Sequence, residues 1–128
     1  MLVRTLAAVS WCAVALAVPQ APAHAAAPHA AFAIGVPNTT VMQYVVSEIT
    51  IVQGDTLTFF NLDYGRDHDL ASQDFVNGVR RFESDPVGVG TPAEVRGVSA
   101  LPPSTYPFVC RAHPEMVGNL TVLPAPAV

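Results

Sequence analysis

Between Tyr106 and Thr121 the chain reads Y-P-F-V-C-R-A-H-P-E-M-V-G-N-L-T, which sets Cys110, His113 and Met116 within seven residues. The runs on either side, Tyr106 to Val109 and Val117 to Val122, are rich in β-branched and aromatic residues, so the stretch predicts a loop joining two strands. One such loop can aim a thiolate, an imidazole and a thioether at a single point. A metal ion held there needs a further ligand from elsewhere, so the fold must bring a distant segment back to this loop.

That ligand is available upstream at His68, in Asp67-His68-Asp69-Leu70, just after the strand-like run from Gly54 to Asp63. A cysteine, two histidines and a weakly bound methionine make up the donor set of blue copper electron-transfer sites. Thiolate and thioether suit Cu(I), whereas imidazole suits both oxidation states, so a mixed set limits rearrangement between them. Structural zinc more often takes four strong Cys or His ligands. Here only Cys110 and two well-placed histidines are offered, and Met116 is of least use to zinc.

The pattern C-x-x-H-x-x-M, with His68 upstream, resembles the ligand loop of the cupredoxins, the small type 1 blue copper proteins of the amicyanin and plastocyanin type. Its short spacing is nearest the amicyanin type, and the resemblance covers Val45 to Leu123. It implies an all-β, Greek-key β-sandwich holding one type 1 copper ion through His68, Cys110, His113 and an axial Met116. It further implies a one-electron carrier whose redox partner docks near a partly exposed His113. Many cupredoxins have asparagine where Asp69 stands, with its backbone amide donating to the cysteine sulfur. The N–H survives the change to aspartate, while a side-chain tie between the loops is left open. Asn61 resembles a residue that braces the copper loops through backbone hydrogen bonds, and Pro114 restricts His113 and stiffens the loop.

At the other end of the chain, Arg4 precedes an apolar run from Leu6 to Val18, and small residues end in Ala23-His24-Ala25. This reads as a secretory signal peptide over residues 1–25, cut after Ala25, with a cut after Ala23 as the alternative. Pro19 breaks the run before it reaches the roughly 20 apolar residues of a membrane span, so the mature chain is expected to have no integral membrane segment. Cys12 leaves with the leader, and Cys110 becomes the only cysteine. A lone thiol in an oxidising compartment needs protection, and coordination provides it.

The remaining chain is one small domain. Residues 26–36 read as a flexible lead-in with a possible first strand from Ala31, residues 37–123 as the cupredoxin-like domain, and residues 124–128 as a Pro/Ala tail. Val41 to Val46 and Glu48 to Val52 are expected strands. Gln53-Gly54-Asp55 signals a turn, and Thr56 to Asn61 alternates with Leu57 and Phe59 on one side. Phe75 to Gly97 is read as either a short helix or a long connection, closing with a short strand from Ala93 to Val98. Leu101 to Ser104 makes a turn, and the ligand strand starts at Thr105.

Five arginines, no lysine and ten acidic residues remain once Arg4 is gone, a balance that disfavours nucleic acid and anionic membranes as partners. A multicopper enzyme needs more histidines than His68 and His113, and no nucleophile or phosphate-binding motif is present, so no enzyme activity is expected. The expectation is a monomeric, secreted or periplasmic electron carrier. The alternative is a copper carrier that delivers the ion rather than electrons.

Overall fold

The computed structural model describes residues 24–35 and 42–127. Apart from His24 and Ala25, the expected signal peptide lies outside the described residues. In chain order the strands are β1 (Pro28–Gly35), β2 (Met42–Tyr44), β3 (Glu48–Val52), β4 (Thr56–Asn61), β5 (Ala71–Ser72), β6 (Phe75–Val76), β7 (Val79–Arg80), β8 (Pro92–Glu94), β9 (Ser104–Cys110) and β10 (His113–Leu123). They form two four-stranded sheets, ordered β2-β1-β4-β8 and β3-β10-β9-β5, with β6 and β7 as a separate hairpin. This is the expected all-β Greek-key sandwich. Among the described residues no helix is long and apolar enough to cross a membrane.

The period-2 alternation explains how the two sheets make one core. In β4, Leu57, Phe59 and Asn61 are buried while Thr56 is exposed. In β9 and β10, Tyr106, Phe108, Cys110, Met116, Leu120 and Val122 are the inward residues. The two inner faces meet around Phe59, Tyr44 and Phe108, with Tyr44 edge-on to both phenyl rings. Cys110 and Met116 belong to this same apolar cluster. The core therefore runs directly into the candidate site.

Strands β3 and β4 fall where the alternation predicts them, but β1 does not. The possible first strand from Ala31 is present but begins three residues earlier: β1 starts at Pro28, pairs in parallel with β4 from Pro28↔Thr56 to Ala33↔Asn61, and pairs antiparallel with β2. The lead-in is tied down by Asp55 in the β3–β4 turn. One Asp55 carboxylate oxygen accepts from the Ala27 N–H and lies 2.8 Å from His24 Nε2. The other accepts from the Val52 N–H and lies 2.8 Å from His29 Nε2. His29 is therefore a partner of a buried carboxylate rather than a free surface group. Burial alone would raise the Asp55 pKa, but these four bonds outweigh it and hold the carboxyl well below the usual range.

The stretch from Phe75 to Gly97 also differs from expectation. It holds the β6–β7 hairpin, turned by Asn77 and Gly78 in left-handed conformations, then β8, which adds an edge to β4. The expected strand from Ala93 to Val98 is shorter, and a 3-10 turn at Val98–Ala100 follows it. Between hairpin and β8, Val87 bridges to His68 and Glu83 bridges to Ala71 and Arg96. These bridges form the backing of the His68 segment.

Candidate metal centre

Two of the four expected ligands are set by strand ends. Cys110 closes β9 and His113 opens β10, and the two residues pair directly across a tight connection. The register then shifts between His113 and Val117, a bulge that lets Met116 turn inward. Met116 and Cys110 are buried, while His113 is partly exposed. His68 comes from a segment 42 residues before Cys110 and is wholly buried. Its backbone exchanges both hydrogen bonds with Val87, at 3.2 and 3.0 Å.

The fold brings His68, Cys110 and His113 together. Cys110 Sγ lies 3.7 Å from His68 Nδ1 and 3.6 Å from His113 Nδ1, and one ligand atom from each residue falls within 4.8 Å of the others. The imidazole centroids are 4.6 Å apart. First-row metal bonds of about 2.0 Å to nitrogen and 2.3 Å to sulfur, opened by roughly 110–120°, set nitrogen and sulfur about 3.6 Å apart. The observed spacing therefore fits one small ion between the three atoms. Two neutral nitrogens and a thiolate are also the donors that an ion cycling between Cu(I) and Cu(II) requires. Burial pushes the Cys110 thiol up, against backbone N–H bonds to sulfur from Asp69, Ala112 and His113.

Asp69 keeps the backbone bond to sulfur that the resemblance implies, and its carboxylate makes the side-chain tie between loops. Oδ1 accepts from the Arg111 N–H at 2.8 Å and Oδ2 from Arg111 Nε at 2.6 Å. The same guanidinium donates to Glu83 Oε2 and to the Ser84 carbonyl, both at 2.9 Å. Arg111 thus pins the ligand loop to the His68 segment and to the strand bridge behind it. Asn61 is a brace as well: its Nδ2 donates to the Arg66 and Val87 carbonyls at 2.7 and 2.8 Å, and its Oδ1 accepts from the Asp63 N–H at 2.8 Å. Tyr44 closes the other side, donating its hydroxyl to the Asp69 carbonyl at 2.6 Å.

Sequence reasoning missed Asp63 and Arg111. Asp63 Oδ2 lies 2.8 Å from His68 Nε2, and that bond is the main reason its carboxyl sits below the ordinary range, despite burial. A carboxylate five residues before a candidate ligand histidine, in the same loop, was the available signal. Arg111 gave none, because its partners lie in distant segments.

Residues 30–123 match the family described as copper binding proteins of the plastocyanin/azurin family. No curated protein matches the chain. Among solved structures, a purple cupredoxin from Nitrosopumilus maritimus is 31% identical, with 71% of this chain and 97% of that one covered and a TM-score of 0.53. The oxidised state of a proline-to-alanine variant of amicyanin is 22% identical, with coverage of 62% and 72% and a TM-score of 0.52. A reduced Cu(I) amicyanin variant is 20% identical, with coverage of 71% and 79% and a TM-score of 0.54. At that identity the amicyanins speak for the fold alone. The cofactor is one type 1 copper ion, and the chain, a cupredoxin in fold and donor set, belongs to the plastocyanin/azurin family of copper binding proteins.

Proposed function

We propose that this cupredoxin is an exported one-electron carrier in which His68, Cys110 and His113 bind copper strongly and Met116 binds it weakly along the axis. The observation that carries the reading is the placement of one buried thiol sulfur between two imidazole nitrogens at 3.6 and 3.7 Å. Copper supplies the one-electron couple, and the protein's part is to keep its donors still. The donors sit at the end of β9, in the first residues of β10 and on the His68–Val87 bridge, braced by Asn61 and by the Asp69–Arg111 pair. Little movement on changing oxidation state means a low barrier to transfer.

His113 is the port for the electron, since it alone of the trio is partly exposed. Pro114 and Val117 beside it are exposed, and a small apolar collar is enough for the brief, small-area encounters of redox partners. The chain works as a monomer outside the cytoplasm. A cut after Ala23 retains the His24–Asp55 bond that a cut after Ala25 removes, and the mass of the exported protein distinguishes the two.

The test is a redox titration of the copper-loaded protein followed by challenge of the reduced form with a Cu(I) chelator. A carrier gives a reversible one-electron wave and keeps its copper through repeated cycles. Prompt transfer of Cu(I) to a modest chelator would instead mark a protein that delivers the ion.

A further inference from the structure

The His68 ring has two nitrogens, and they face different things. Nδ1 faces Cys110 Sγ at 3.7 Å and Nε2 faces Asp63 Oδ2 at 2.8 Å. A neutral imidazole carries one proton, and whichever nitrogen holds it can neither bind a metal nor accept a hydrogen bond. An ionised carboxylate only accepts, so it can bond only the tautomer with the proton on Nε2. That tautomer leaves the Nδ1 lone pair free on the side where Cys110 and His113 converge.

From this geometry we infer that Asp63 is a positioning residue that locks His68 in the Nε2–H tautomer and so holds the ring ready for copper before the ion arrives. The inference rests on the reading of His68 as a ligand, and it concerns residues of this chain that the donor set does not include. Asp63 is itself built into place. It is almost wholly buried, its N–H donates to Asn61 Oδ1 at 2.8 Å, and its Oδ1 accepts from the Gly65 N–H at 2.9 Å. Arg66 Nη1 stands 3.6 Å from Oδ2. Both carboxylate oxygens therefore have fixed work, one toward the turn and one toward the ring. Asparagine cannot reproduce this, because it has one oxygen: if the oxygen serves Gly65, the amide NH2 faces His68 and selects the Nδ1–H tautomer. His113 has no such lock, for no carboxylate is hydrogen-bonded to it among the described residues. A carboxylate behind a ligand histidine also raises its basicity, and removing such a partner costs about 10–100-fold in metal affinity.

The experiment is nitrogen-resolved NMR of the metal-free protein at mildly alkaline pH, on wild type and Asp63→Asn, with Cu(II) affinity measured on the same samples. Wild type should show His68 as the Nε2–H tautomer. Asp63→Asn should move it toward Nδ1–H, weaken Cu(II) binding by about 10–100-fold and shift the midpoint potential upward. Wild-type His68 in the Nδ1–H form overturns the inference outright, and this outcome can be read even if Asp63→Asn fails to fold. A folded Asp63→Asn with unchanged tautomer and unchanged affinity overturns it as well. His68→Ala keeps the two readings apart: if it retains wild-type colour and copper affinity, the ligand assignment fails whatever the NMR shows. If it loses them while Asp63→Asn changes nothing, only the lock fails.

Discussion

On the proposed reading Met116 would be the weakest donor of the four, acting on the balance between oxidation states. A thioether along the axis adds a little electron density to Cu(II), so removing it destabilises the oxidised form relative to the reduced one. Met116→Leu fills a similar volume in the core, and the expected result is a protein that keeps its colour while its midpoint potential rises. Protein-film voltammetry reads this directly, and an unchanged potential would show that Met116 is not axial. At this scale the sequence told most about residues whose chemistry is local. Cys110 and His113 share one short loop, and His68 follows a legible strand. Arg111 and Asp69 acquire their roles only through partners that folding supplies, whereas Asp63 stands five residues before its partner His68. The Asp69 carboxylate, ambiguous in the sequence, is resolved by a guanidinium 42 residues away.

The ligand loop owes its shape to the hairpin of β9 and β10, and that hairpin depends on one close approach. A Cβ at Gly118 would stand 2.4 Å from the Phe108 ring and 2.4 Å from the Ser47 carbonyl oxygen. Backbone and a core phenyl ring have little room to retreat. Gly118→Ala is therefore expected to destabilise the protein by about 1–3 kcal/mol, as overpacked cores do, with a denaturation midpoint that falls accordingly. A midpoint equal to wild type would mean that β10 does not lie this close to β9 and to the segment after β2. Strands with plain alternation, such as β3 and β4, were readable from periodicity alone. By contrast β1 was read short because its first half is alanine and histidine, with few of the β-branched residues that mark strands. It is a strand because β2 and β4 flank it and Asp55 holds its start. The β6–β7 hairpin had its Asn77-Gly78 turn in plain view, but with only two residues per strand there was no period to detect.

Across the whole molecule, the two sheets are joined to the N-terminal segment through a carboxylate that must stay ionised. Asp55 and Asp63 both titrate below the ordinary aspartate range when folded. A depressed folded pKa adds stability that is fully present above the unfolded value, about 3.9, and is lost as pH falls toward the folded one. Stability of the metal-free protein should therefore be level down to about pH 5 and then drop steeply through pH 4 and below. Asp55→Asn should lower stability at neutral pH by roughly 1–3 kcal/mol, because buried donors lose a charged acceptor, and should make the acid limb shallower. Urea denaturation across this pH range measures both effects, and an acid limb as steep in the variant as in wild type would remove Asp55 from the explanation. The same fixed framework lets the fold present three ligand atoms within 4.8 Å of one another, and this presentation is the claim most directly open to measurement. The visible spectrum of the purified protein with one equivalent of Cu(II) should show an intense thiolate-to-copper band that disappears in Cys110→Ser. A pale Cu(II) spectrum, or an intense band that survives the loss of Cys110, would contradict the account.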